Sequence, residues 1–349
     1  EPVETELAID ADDVVLATGS RPLALPGNPF AGALIDSTQA LELNTLPSSA
    51  VIIGAGAVAL EFASLWNAAG CEVTLLIRKD RVLSTWERRA SMTLTRELKR
   101  RGVNVIARTA VDRVDTGANL GATVHYRQGD SDEDRTAYGE VVLAAIGRVP
   151  NTDADWFRSS GLKLDERGYV TVDGYGRTNL DGVWALGDIT PGHALAHRAF
   201  EQGITIAEKI AGADPKPVID DTVPQVVFSF PEAASVGLTL DQAKAREDVV
   251  EPKETAYPML SNARMLMSGE GGSMTVVSGA FANNPDMQVV LGVHIVSPIA
   301  SDLIAEAEQL VGNRVPLADA ARLIHPHPTF SETLGEALLK ADGRPLHTR

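Results

Sequence analysis

Three sets of residues in this chain have types and spacings that suit chemistry. The run Gly54-Ala55-Gly56-Ala57-Val58-Ala59 is a G-x-G-x-x-A pattern. Gly54 permits a tight turn, Gly56 lets backbone approach a pyrophosphate, and small Ala59 keeps the following helix close to its strand. The pyrophosphate would then lie at the positive end of that helix. About 20 residues further on, an NAD site would carry Asp or Glu for the ribose 2′-hydroxyl, but here the chain reads Ile77-Arg78-Lys79. Arg78 and Lys79 donate and do not accept, which suits the 2′-phosphate of NADP or, equally, a solvated strand end.

The second set is Thr178 to Asp188, where an apolar run delivers Asp188 at its carboxyl end. Ligands of parallel sheets bind there, so Asp188 can accept from a cofactor hydroxyl. The third is His325-Pro326-His327-Pro328-Thr329-Phe330-Ser331-Glu332. Pro328 biases His327 away from helix, and Thr329 and Glu332 have the spacing of a capping box. In functional terms His327 is a general base near neutral pH, and Glu332 orients its ring and stabilises the protonated form. A turn histidine beside a capping carboxylate is the plainer alternative. His325 has no partner visible in the sequence.

These residues need elements to hold them. Residues 12–22 read as a buried strand that stops at Gly19 and Pro22, and residues 23–47 as a linker. Strand 50–53, helix 58–69 and strand 71–77 form one βαβ unit of a parallel sheet. Helix 90–101, strand 103–106 and strand 141–147 extend it, and the acidic stretch Gly129 to Arg135 reads as an exposed hairpin or loop. Beyond about residue 220 come strands 223–228 and 289–296, then helices 300–311 and 331–340, an α+β order. A chain of 349 residues is expected to hold two or three domains.

Apolar residues make up 44% of the chain and charged ones 22%, and no apolar run reaches the roughly 18 residues of a membrane span. A net charge of -16 argues against a nucleic-acid surface. No basic and apolar leader follows Glu1, so a cytoplasmic location is the expectation. The single cysteine, Cys71, allows neither an internal disulfide nor an internal dithiol centre.

Together these residues resemble the flavoprotein pyridine nucleotide-disulfide oxidoreductases, which include dihydrolipoamide dehydrogenase, glutathione reductase and mycothione reductase. The stretch Val14 to Pro22, with Thr18 and Gly19, resembles the family's Ala-Thr-Gly segment. Ile146 to Thr152, with Gly147, resembles a second such segment, and Thr178 to Asp188 resembles its second flavin motif. Leu195-Ala196-His197 is similar to the loop beside the flavin ring, and Val223-Pro224 through Thr239 to the first strands of the interface domain. The H-x-H-P-T-x-S-E run is most similar to that of dihydrolipoamide dehydrogenase.

The resemblance implies FAD and NAD as cofactors, with NADP as the alternative, and a homodimer in which His327 and Glu332 reach the partner's redox disulfide. It places Glu61 near the nicotinamide. The implied fold is α/β, with Rossmann-like nucleotide-binding domains plus a carboxyl-terminal α+β dimerisation domain. Residues 1–47 would be the end of a first FAD segment and a linker, 48–148 the NAD(P) domain, 149–219 a second FAD segment and 220–349 the interface domain.

Two departures bear on function. The family's first flavin G-x-G-x-x-G and its C-x-x-x-x-C pair do not occur in these 349 residues. The chain as written is therefore expected to be a fragment, inactive alone in lipoamide turnover. The other departure is Ile77-Arg78-Lys79, closer to NADPH-using reductases, although Ser84 stands where those often place a second Arg. The expected activity is electron transfer from a dihydrolipoyl group on a carrier protein through a disulfide and FAD to NAD(P). The alternatives are an NADPH-dependent reductase of a small disulfide and a nucleotide-binding, dimerising fragment without catalysis.

Overall fold

A computed structural model describes residues 7–117 and 121–348. They fall into two compact units: the described residues up to Arg21 with Arg148–Asp220, and Pro22–Gly147 with Asp221–Arg349. No helix among the described residues is long and apolar enough to cross a membrane.

In the first unit, strand Val14–Leu16 runs parallel to strand Val183–Ala185, and Ser20–Pro22 pairs with Arg148–Pro150. Phe157, Leu162, Val170, Ala185 and Ile189 form its core. The reading of residues 12–22 as a buried strand is corrected: Val14 and Val15 are 44% and 42% exposed. Their strand has one neighbour among the described residues, so apolar sequence does not translate into burial there. Helix Ala196–Ile210 buries Arg198, whose Nε donates to Asp220 at 2.6 Å while its other nitrogens reach the Pro191 carbonyl and Thr190. A buried guanidinium needs this many acceptors, and meeting them fixes the loop that follows Asp188.

The second unit opens with a five-stranded parallel sheet in the order Leu34–Ile35, Val141–Ala144, Ser49–Ile53, Glu72–Ile77, Asn104–Ala107. Successive side chains of a strand face opposite sides. Ala50, Ile52, Leu75 and Leu143 accordingly pack on helices Ala57–Ala68 and Arg88–Arg100. Val51, Ile53, Leu76 and Val142 pack on Ala122, Val124 and Tyr126. Those three belong to an antiparallel sheet of Thr109–Asp115, Ala122–Gln128 and Arg135–Gly139. Both faces of the parallel sheet are thus covered, as its unbroken apolar strands require.

The same unit continues into a five-stranded antiparallel sheet in the order Gln225–Val227, Glu232–Gly237, Asn284–Ser297, Ser273–Phe281, Val249–Tyr257. Val276, Val293 and Ile295 share one core with Leu303 and Ala307 of helix Ala300–Gly312 and with Leu334, Ala337 and Leu338 of helix Glu332–Ala341. The second helix carries the expected catalytic carboxylate in its first turn.

Candidate active site

The nucleotide turn lies between strand Ser49–Ile53 and helix Ala57–Ala68. Gly54 has φ +145°, and a Cβ there would run into the Ala145 carbonyl oxygen and lie 3.3 Å from the Ala59 methyl. Only glycine fits, because both the dihedral and the space exclude a side chain. Gly56 is the opposite case: nothing lies within 4 Å of where its Cβ would be. It is the N-cap of the helix and has no side-chain cap, so the first helical amides are open to an external acceptor. An open cradle before uncapped amides fits a dinucleotide pyrophosphate.

Arg78 and Lys79 follow strand Glu72–Ile77 and are exposed. Arg108, missed from the sequence, joins them: its amide donates to the Lys79 carbonyl at 3.0 Å, and it too is exposed. Its φ of 58° is left-handed, and nothing in the sequence announces that the chain turns back there. None of the three is in an ion pair among the described residues. Arg81 is already engaged, with Asp80 at 3.0 Å and the Ser84 carbonyl at 3.1 Å.

Glu61 is placed on the same helix as the glycine turn, where its Oε1 accepts from the Phe228 amide at 3.0 Å. One turn later Ser64 Oγ accepts from the Phe230 amide at 3.2 Å. The nucleotide helix thereby holds the connection between strands Gln225–Val227 and Glu232–Gly237 of the antiparallel sheet. Gly147, with φ +151°, accepts through its carbonyl from the Leu23 amide at 3.0 Å.

In the first unit, Thr18 and Asn151 exchange hydrogen bonds: Thr18 Oγ1 donates to the Asn151 carbonyl at 2.8 Å, and Asn151 Nδ2 to the Thr18 carbonyl at 2.9 Å. Gly19 has φ +72° with open space where a Cβ would be. Asp188 lies in a short 3₁₀ turn, Gly187–Ile189, and accepts from Ser20 Oγ at 2.5 Å. Ser20 Oγ in turn accepts from Arg148 Nε at 2.7 Å. Neither Ser20 nor Arg148 was legible as a partner, since 168 and 40 residues separate them from Asp188. Leu195 is the uncapped N-cap of helix Ala196–Ile210, so Ala196 and His197 occupy its first turn. The start of this helix, with no side-chain cap, and the Asp188 carboxylate are a set that fits a second dinucleotide.

In the carboxyl-terminal domain, His327 Nδ1 and Glu332 Oε1 are 2.8 Å apart. The other carboxylate oxygen accepts from the Thr329 amide at 2.8 Å. The His327 side chain is 72% exposed and that of Glu332 19%, so Nε2 faces outward while the carboxylate is sheltered. Burial opposes ionisation of Glu332, but the Thr329 amide and the His327 ring outweigh it and hold the carboxyl below its usual range. The expected capping box is corrected: only the carboxylate half forms. Thr329 Oγ1 donates to the Pro326 carbonyl at 2.6 Å, no helix amide among the described residues donates to it, and the helix starts at Glu332 itself. The Thr329 carbonyl is held by buried Asn262, which also caps helix Ala263–Ser268. Among the described residues no group of three His, Cys, Asp or Glu side chains could hold a metal ion.

A glycine turn that fits a pyrophosphate, a carboxylate beyond a second parallel strand and an exposed histidine oriented by a carboxylate are the parts that a nucleotide-dependent oxidoreductase requires. The profile of pyridine nucleotide-disulphide oxidoreductases matches residues 1–203, and that of the same family's dimerisation domain matches residues 223–338. The chain belongs to the pyridine nucleotide-disulphide oxidoreductase family. It is 36% identical over 342 residues to a dihydrolipoyl dehydrogenase of Cupriavidus necator, covering 97% of this chain and 70% of that protein. To the Geobacillus stearothermophilus dihydrolipoyl dehydrogenase it is 37% identical over 341 residues, covering 96% and 69%. Among solved structures, LpdA from Mycobacterium tuberculosis superposes with a TM-score of 0.84 at 29% identity, covering 95% of this chain and 70% of that one. A flavoprotein disulfide reductase of Escherichia coli, RclA, shares the fold with a TM-score of 0.82 at 24% identity, covering 95% and 74%.

Proposed function

We propose that this chain supplies the pyridine nucleotide site, part of the flavin site and the acid–base pair of a homodimeric dihydrolipoyl dehydrogenase. The observation that carries the reading is the 2.8 Å contact of His327 with a doubly engaged Glu332, which leaves Nε2 exposed. His327 Nε2 takes the proton of one dihydrolipoyl thiol, and the imidazolium is stabilised by Glu332. The thiolate attacks one sulfur of a redox disulfide, breaking that bond and forming a mixed disulfide. The second lipoyl thiol then attacks the lipoyl sulfur of the mixed disulfide and releases the sulfur of the redox pair, so the lipoyl group leaves oxidised and the redox pair is left as a dithiol. That disulfide cannot come from Cys71 alone. FAD beside Asp188 and a nicotinamide cofactor at Gly54 and Gly56 would supply the hydride transfer that carries the electron pair away from the dithiol. Asp188, Gly54 and Gly56 bind and orient.

Replacing His327 with Gln in enzyme that carries the redox pair should depress dihydrolipoamide oxidation by roughly 10² to 10⁴, the usual size of lost acid–base catalysis. Turnover near that of the parent would refute the assignment.

A second reading, an NADPH-driven reductase of a small disulfide, is favoured by the exposed cations Arg78 and Lys79 after strand Glu72–Ile77 and Arg108 after the neighbouring strand Asn104–Ala107. Flavin reduction by NADH and by NADPH, compared in a single turnover, separates the two. A clear advantage for NADPH that disappears in Arg78→Ala supports the reductase.

A further inference from the structure

We propose that His325 and Glu306 form a positioning pair beneath the acid–base dyad, one that holds the His325–His327 turn against two helices and so keeps the His327 ring on Glu332. The inference rests on the acid–base reading of His327.

The first observation is the His325 ring, with a side chain only 8% exposed and Nε2 2.9 Å from Glu306 Oε1. Glu306 lies on helix Ala300–Gly312, 19 residues earlier. The second is Gly335 inside helix Glu332–Ala341. Glycine in a helix interior costs about 1 kcal/mol relative to alanine, so its presence there calls for a reason. A Cβ at Gly335 would lie 2.8 Å from His325 Cε1 and closer still to Nδ1. The missing side chain is the room the ring occupies. His325 is thus clamped between the helix that carries Glu306 and the helix that begins at Glu332, and one residue separates it from His327.

The charges agree with this arrangement. The hydrogen bond to Glu306 holds His325 protonated above the usual imidazole range, against the effect of burial, and the Leu323 carbonyl and Glu332 act in the same direction. Glu336, on the same helix as Glu332, is engaged by His347 at 2.8 Å. The groups that face the ring are therefore Glu306 and Glu332, and a cationic His325 favours the ionised form of Glu332 that His327 needs.

The test uses the full-length dimeric protein with histidines labelled at Cε1 with ¹³C. The His327 resonance is assigned by its loss in His327→Gln. In Glu306→Gln and in His325→Gln the His327 Cε1 resonance should move and broaden, because the 2.8 Å contact with Glu332 loosens. The pH profile of kcat/KM should shift with it, kcat falling about tenfold with little change in KM, the scale expected when a reacting group is misplaced by a fraction of an ångström. Glu306→Asp should restore part of the effect. An unchanged His327 resonance and an unchanged pH profile in both Gln variants would overturn the proposal. The acid–base reading itself is judged separately, by turnover of His327→Gln.

Discussion

The chemistry turns on two histidines two residues apart whose surroundings differ. His327 is exposed and held at one nitrogen, whereas His325 is buried between helices. Their carboxylate partners set opposite pH signs. Glu332 titrates below its unfolded value, so its contribution to stability is present above the ordinary carboxylate pKa and is lost as pH falls through the folded value. His325 titrates above its unfolded value, so its contribution is complete below the ordinary imidazole pKa and is lost as pH rises through the folded one. Thermal melts should therefore show Glu332→Gln closing on the parent at acid pH and His325→Gln closing on it at alkaline pH. The reverse order would contradict the assignment. Cys71 plays no part in this: burial first, then Glu140 and Glu72, push its thiol up to about 11, so it offers no thiolate at neutral pH.

At the scale of the element, the glycine turn separates folding from binding. Gly54 has no room for a methyl group and a φ that disfavours one, a strain of about 1–3 kcal/mol before any collision with the Ala145 carbonyl is counted. Gly54→Ala should lower the melting temperature by several degrees as read by calorimetry. Gly56→Ala has open space, so the melt should be unchanged while NADH binding weakens by roughly tenfold or more, since the methyl sits where a pyrophosphate approaches. Titration of both variants with NADH against a melt of each checks the pair. Equal melts for the two would show that the turn is looser than its geometry requires.

At the scale of the whole molecule, the region that matches the family's dimerisation domain exposes Leu260, Leu266, Met267, Leu323 and Ile324, the last at 96%. Exposed apolar side chains in this region are what a dimer would cover. Light scattering should give twice the 37.0 kDa of one chain, and Ile324→Glu should shift the mass toward a monomer. A single-chain mass in the parent would count against the dimer. Dihydrolipoamide turnover requires a redox disulfide, which one cysteine cannot form. A preparation whose intact mass is 37.0 kDa is therefore expected to bind nucleotide without oxidising dihydrolipoamide.

What could be read without coordinates was local. Gly54, Gly56 and Ala59 lie within six residues, and His327 and Glu332 within one turn and its helix, so backbone geometry alone brings each set together. The βαβ unit was likewise legible, because its strand, helix and strand follow one another directly in the chain. Tertiary structure decided the rest. Glu306 reaches His325 from another helix, Arg108 reaches Lys79 across strands, and Arg148 reaches Asp188 only through Ser20. Val14 and Val15 are as apolar as any core strand and yet exposed. In each case the deciding contact is made between segments far apart in the chain or by a neighbour's absence, and neither leaves a periodicity or a spacing to be read.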